Sequence, residues 1–133
     1  MRPLTRVHVH TLAFQAILTR PDSAWKNSMS AAAKAALTAH RHTCGEHDID
    51  ATKARLIMDG SFSLSTKEVE GEVDLSKSQS RVYVNNQRPV SCWEEEKDLP
   101  AHICVAPVLV CTKILKTAGG GDNVSSAGLV FQI

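Results

Sequence analysis

The densest group of donor side chains is the run His40-Arg41-His42-Thr43-Cys44-Gly45-Glu46-His47, and five of the six histidines fall within the first 47 residues. On a continuous helix His40 and Cys44 stand at i and i+4 and share a face, with His47 a turn further on. Zinc binds imidazole and thiolate in a tetrahedron, so His40, His42, Cys44 and His47 are the candidate metal ligands, and His8 and His10 on one strand face are able to complete the set. The spacing matches none of the paired patterns of closed zinc sites, and Gly45 tends to stop a helix before His47 is reached. The plainer reading is a helix end with solvent-exposed histidines. Catalytic zinc would need Glu46 as its base, and a Cys44 nucleophile would need an orienting third group and an oxyanion site. Neither set is legible in the sequence.

Two further groups are candidates for meeting a partner. Glu68, Glu70, Glu72 and Asp74 alternate with Val69, Gly71, Val73 and Leu75, which gives a strand one acidic and one apolar face. Such a face is either solvated or complementary to a basic partner. Lys77, Arg81, Tyr83 and Arg88 collect cations and a ring near one hairpin, the combination with which a sheet binds single-stranded nucleic acid. Aromatic residues are only 5% of the chain and Tyr83 is the sole tyrosine, which weighs against that use. Gly119-Gly120-Gly121 lacks the Lys and Ser/Thr of a phosphate-binding loop, so the stretch Thr117 to Ser126 reads as a flexible connector.

The elements that would position these groups follow from periodicity. Val7 and Val9 alternate with His8 and His10 in a first strand, and Pro21 marks its boundary. From Asp22, a plausible N-cap, the pattern turns helical: Ala31 to Leu37 has high helix propensity, and Trp25, Met29, Ala32 and Ala36 form an apolar stripe that ends in Arg41, His42 and the stop residue Gly45. From about Lys53 to Asn86 the turn signals Asp59-Gly60 and Ser76 to Gln79 separate alternating runs, which predicts an antiparallel meander, with helix over Ala51 to Met58 as an alternative. Cys92 to Asp98 reads as an exposed loop or a single helical turn. Ile103 to Leu115 reads as a strand that Pro107 confines to an edge or a bulge, and Gly128 to Ile133 as a last short strand. The expected fold is one α+β domain, an antiparallel sheet of about five to six strands with one main helix packed across a face.

A chain of 133 residues with 43% hydrophobic and 22% charged residues can bury a core of its own. Fifteen Lys and Arg against fourteen Asp and Glu leave a net charge of +1, too little for a global pull toward nucleic acid or an anionic membrane. Cys44, Cys92, Cys104 and Cys111 are scattered and read as reduced thiols, and Met1-Arg2-Pro3-Leu4 lacks the apolar core of a signal peptide. These features predict a cytoplasmic location (host cytoplasm or virion for a viral protein), no membrane contact and no cofactor beyond the zinc candidate. With no complete catalytic constellation legible, the sequence predicts a non-enzymatic interaction or assembly protein, such as a viral or phage structural subunit that binds copies of itself as a homo-oligomer. Two alternatives stay open: an inhibitor that occludes a nucleic-acid-binding enzyme with its acidic face, and a zinc-stabilised nucleic-acid-binding protein.

Overall fold

The computed structural model describes residues 3–45, 47–57, 61–63, 81–83, 85, 87–96 and 99–133, with backbone alone for 61–63 and 81–83. It bears out the α+β expectation. Strands β1 (Arg6–His10), β2 (Phe14–Thr19), β6 (Ser91–Glu95) and β7 (Ala101–Pro107) form an antiparallel sheet in the order β1-β2-β7-β6. Two short antiparallel ribbons pair β3 (Ala54–Arg55) with β8 (Val110–Cys111) and β4 (Ser61–Ser63) with β5 (Arg81–Tyr83). Helices α1 (Ser28–Cys44) and α2 (Gly120–Val130) complete the chain.

β1 and β2 form a hairpin turned by Thr11, whose hydroxyl accepts the amides of Ala13 and Phe14 at 3.1 and 3.0 Å. Along β2 burial alternates, and Gln15, Ile17 and Thr19 point to the helices while their neighbours are half-buried. Register places Ala106, Cys104 and His102 of β7 opposite these three residues, on the same face. Helix α1 lies on that face with Ala31, Ala32, Ala35, Ala36 and Ala39, and the shared core adds Ile17, Val108, Val110 and Val124. Alanine there allows a close approach of helix to sheet.

Several expectations need correction. The helix starts at Ser28, not after Asp22, and its cap is Asn27 in the left-handed region (φ 54°), a conformation Asn tolerates. Met29 is 53% exposed, so the buried stripe belongs to the alanines and not to Met29. Trp25 precedes the helix, donates to Thr5 Oγ1 at 3.0 Å and lies under the Arg6 guanidinium. Ser91–Glu95 is a strand where a loop was expected, because Cys92 and Glu94 share one face and Trp93 takes the other. β7 is interior rather than an edge, and Pro107 is tolerated as its last residue, beyond which the Val108 amide donates to Ala13. The region expected as connector and last strand is α2.

The cysteines are not reduced thiols: Cys44 joins Cys111, and Cys92 joins Cys104. Both pairs arise from tertiary proximity at sequence separations of 67 and 12, which scattered spacing hides. In the meander region, Asp50 Oδ1 caps a 3-10 turn at Ala51–Lys53 by accepting the Thr52 amide, and β4 pairs with β5. Asp59-Gly60, the acidic run 68–75 and Lys77 lie outside the described residues. Among the described residues no helix is long and apolar enough to cross a membrane.

Candidate functional site

Three glycines and a carboxylate open helix α2. Gly119 caps it at φ 74°, a left-handed conformation that strains any residue with a Cβ, and Gly120, Gly121 and Asp122 form the first turn. The Gly120 amide turns back to the Thr117 carbonyl at 3.1 Å, and the Asn123 amide closes the first helical bond to Gly119 at 3.3 Å. The amides of Gly121 and Asp122 therefore sit at the mouth of the helix. A helix start leaves its first amides without intrahelical partners and carries partial positive charge, which suits it to phosphate. The Asp122 side chain is exposed at the same mouth.

Two histidines wedge this turn in place. A Cβ on Gly120 would stand 3.3 Å from His42 Cδ2, and one on Gly121 would stand 3.1 Å from His10 Cε1, so glycine is what lets the turn pass between α1 and β1. His42 Nε2 donates to the Ala118 carbonyl at 2.9 Å, which fixes the tautomer because a carbonyl only accepts. Asn123 Nδ2 then donates to the Gly119 carbonyl at 2.9 Å and approaches His42 Nδ1 at 3.5 Å. The sequence reading missed this site. The overlooked signal was a carboxylate directly after the glycines, followed by Val124 at a spacing that buries it against α1.

The expected zinc cluster is divided between two faces of α1. His40 and Cys44 do share a face, with Cys44 Sγ 3.4 Å from His40 Nδ1 and 3.5 Å from Nε2, and Cys111 completes a buried trio. His40 Nδ1 is engaged by the Leu109 carbonyl, and both sulfurs are joined to each other. His42 points instead toward α2, where it shares a cleft of about 300 Å³ with His47, Thr38, Arg41, Gly45 and Asn123. His8 and His10 lie against α2 at Gly128 and Gly121, not against His40.

The other candidate groups are only partly within view. Glu68, Glu70, Glu72, Asp74 and Lys77 fall outside the described residues; Arg81 and Tyr83 are described by backbone alone, in β5, and Arg88 is exposed beyond it. Buried polar contacts also run behind α2. Arg6 Nε donates to Gln132 Oε1 at 2.6 Å, Gln132 Nε2 donates to Ser28 Oγ at 3.1 Å, and Ser28 contacts Thr19 Oγ1 at 3.3 Å. An apolar cavity of about 400 Å³ lies between Ala33, Leu37, Ile49, Leu56, Val90 and Leu109.

A model of the ADP-specific phosphofructokinase/glucokinase conserved region matches residues 1–131. The chain is 34% identical over 129 residues to an ADP-dependent glucokinase of Bos taurus, and 26% identical over 131 residues to a probable ADP-dependent glucokinase of Caenorhabditis elegans. Each alignment covers 97% of this chain and 23% of the relative, so the chain spans under a quarter of the length of these relatives. The matches overturn the expectation of a non-enzymatic assembly protein or viral subunit, and with it the inhibitor and the zinc-stabilised nucleic-acid binder. The physical source of the error is specific: α2, opened by glycines, does not look helical by propensity.

Proposed function

Because the chain belongs to the ADP-specific phosphofructokinase/glucokinase family, we propose that it carries the phosphoryl-transfer corner of a kinase that moves the terminal phosphoryl group of ADP to a sugar hydroxyl. The sugar oxygen bonds to the β-phosphorus, the bond from that phosphorus to the bridging oxygen breaks, AMP departs, and the hydroxyl proton passes to a base. The observation that carries the reading is the opening of α2 on Gly119 to Asp122. Phosphoryl transfer asks a protein for positioned charge stabilisation and a proton acceptor more than for covalent chemistry. The Gly121 and Asp122 amides supply the first to the transferred oxygens, and the Asp122 carboxylate supplies the second to the attacking hydroxyl. His42 is a positioning residue: it holds the Ala118 carbonyl and, through it, the direction of the turn.

The test is Asp122→Asn in the full-length polypeptide, assayed with ADP and sugar. Loss of the base lowers kcat by about 100- to 10,000-fold, with KM for ADP and the melting temperature little changed, since Asp122 is exposed. Turnover within a few-fold of the parent removes Asp122 from the mechanism.

A further inference from the structure

At the edge of the main sheet, away from the α2 turn, Cys92, Glu94, His102 and Cys104 fall on one face. Register dictates it: Cys92 stands opposite Cys104 and Glu94 opposite His102, each pair two residues from the other along antiparallel strands. Cys92, His102 and Cys104 offer ligand atoms within 4.8 Å of one another. His102 Nε2 is 3.3 Å from Cys104 Sγ, and its Nδ1 is held by the Glu94 carboxylate. A carboxylate on one imidazole nitrogen fixes the tautomer and aims the lone pair of the other, the usual outer-shell arrangement of a metal-bound histidine.

We propose that, once its bridge is reduced, this face is a zinc site with Cys92 Sγ, Cys104 Sγ and His102 Nε2 as ligands and Glu94 as the orienting carboxylate. Cys104 is wholly buried against the core, whereas His102 and Cys92 are partly exposed, so the fourth position falls on the side of His102 and Cys92. Bond lengths of about 2.3 Å to sulfur and 2.0 Å to nitrogen place tetrahedral S and N ligands roughly 3.5 Å apart, close to the separation already present. The two sulfurs must part to roughly 3.8 Å for the same geometry, within reach of side-chain rotation. A dithiol reductant supplies two electrons and two protons by exchange, becoming a disulfide itself and leaving Cys92 and Cys104 as thiols. Zinc then displaces both protons. Thiolate with imidazole is a donor set that favours zinc over magnesium or calcium.

The trio His40, Cys44 and Cys111 gives an internal control. It is fully buried, and His40 spends Nδ1 on the Leu109 carbonyl with no nitrogen aimed at sulfur in preference to the other. The experiment reduces the full chain with a phosphine, adds one equivalent of zinc or none, alkylates briefly, and reads each cysteine by peptide mass spectrometry. Zinc is expected to slow modification of the partly exposed Cys92 at least tenfold while leaving Cys44 and Cys111 unchanged, and to raise the melting temperature of the reduced chain; Cys104, wholly buried, reacts slowly with or without the metal. Glu94→Gln weakens zinc binding by about 10- to 100-fold, as loss of an outer-shell partner does, and His102→Gln abolishes the protection. A reduced chain that gains neither protection at Cys92 nor thermal stability from zinc overturns the assignment.

Discussion

Helices α1 and α2 pack against each other, yet one is composed for stability and the other against it. Six of the 17 residues of α1 are alanine, and five of those six line the core. Three of the 11 residues of α2 are glycine: Gly120 and Gly121 in the first turn, and Gly128 in the interior, where glycine is about 1 kcal/mol worse than alanine. Tertiary contact makes up the difference: Val124 is buried against α1, Gly128 admits His8, and Gln132 is tied to Arg6 and Ser28. A residue type that weakens an element on its own is a sign that something must come close to its backbone. In α2 that something is a histidine ring at each of the three glycines, and at the first turn also the proposed phosphate.

The sharpest way to break this contrast is to disturb the alanine face. Ala35 is wholly buried between helix and sheet, so Ala35→Leu forces extra volume into a packed layer. It should destabilise by about 1–3 kcal/mol, read as a lower denaturation midpoint at unchanged m-value. Asp122→Asn should do the converse, losing turnover at unchanged midpoint. If Ala35→Leu leaves the midpoint where it was, α1 is not the stabilising partner.

Gly128→Ala probes the other side. By propensity alone the change adds roughly 1 kcal/mol of helix stability. The new Cβ, however, would stand 3.1 Å from His8 Cε1 and 3.3 Å from Nδ1, and His8 is held through Nε2 by the fully buried Gln15, at 3.0 Å. Gln15 cannot swing aside, because its own amide nitrogen donates to the Thr11 carbonyl at 3.1 Å. The expected outcome is a net loss of roughly 1 kcal/mol, the overpacking cost exceeding the propensity gain. A more stable Gly128→Ala would show that α2 has slack and that its glycines are not spacing devices.

How much of this was legible follows from the same contrast. The α1 alanines and Gly45 advertise a helix and its end by propensity and cap chemistry, and the hairpin-forming strand around Val7 and Val9 follows from alternation. The start at Ser28 was hidden because Asn27 caps with its backbone in the left-handed region, its side chain donating to the Phe131 carbonyl and not capping the helix amides. Helix α2 was hidden because its local preferences point the wrong way, and only contacts with residues more than 80 positions earlier overrule them. Ser91–Glu95 was hidden because an edge strand with Glu94 and Glu95 on successive faces has no clean apolar side. The candidate site lay where concealed α2 meets two legible elements, the end of α1 and β1, which is why the histidines were noticed and the glycines they hold were not.

The smallest effect concerns His8 and tests how tightly α2 is held on β1. Burial lowers the His8 pKa below its ordinary value of 6.5; the Gln15 hydrogen bond opposes this, and Arg6 and His10 reinforce it. The groups facing the ring are Gln15 on β2, Arg6 and His10 on β1, and the backbone of α2 at Gly128, none of them an anion. Protonation would put a second N–H at Nδ1, a buried atom with no hydrogen-bond partner among the described residues. With the folded value depressed, the unfolded chain binds more protons below pH 6.5. Stability is therefore complete above that pH and declines as the pH falls through 6.5 toward the lowered folded value. Urea midpoints measured from pH 7.5 down to 5 should fall by an amount that corresponds to a fraction of one proton, and His8→Gln should flatten that slope. An unchanged slope in His8→Gln would mean that α2 lifts from β1 readily enough for the ring to reach water, and the close contact at Gly128 would then not be what holds the helix.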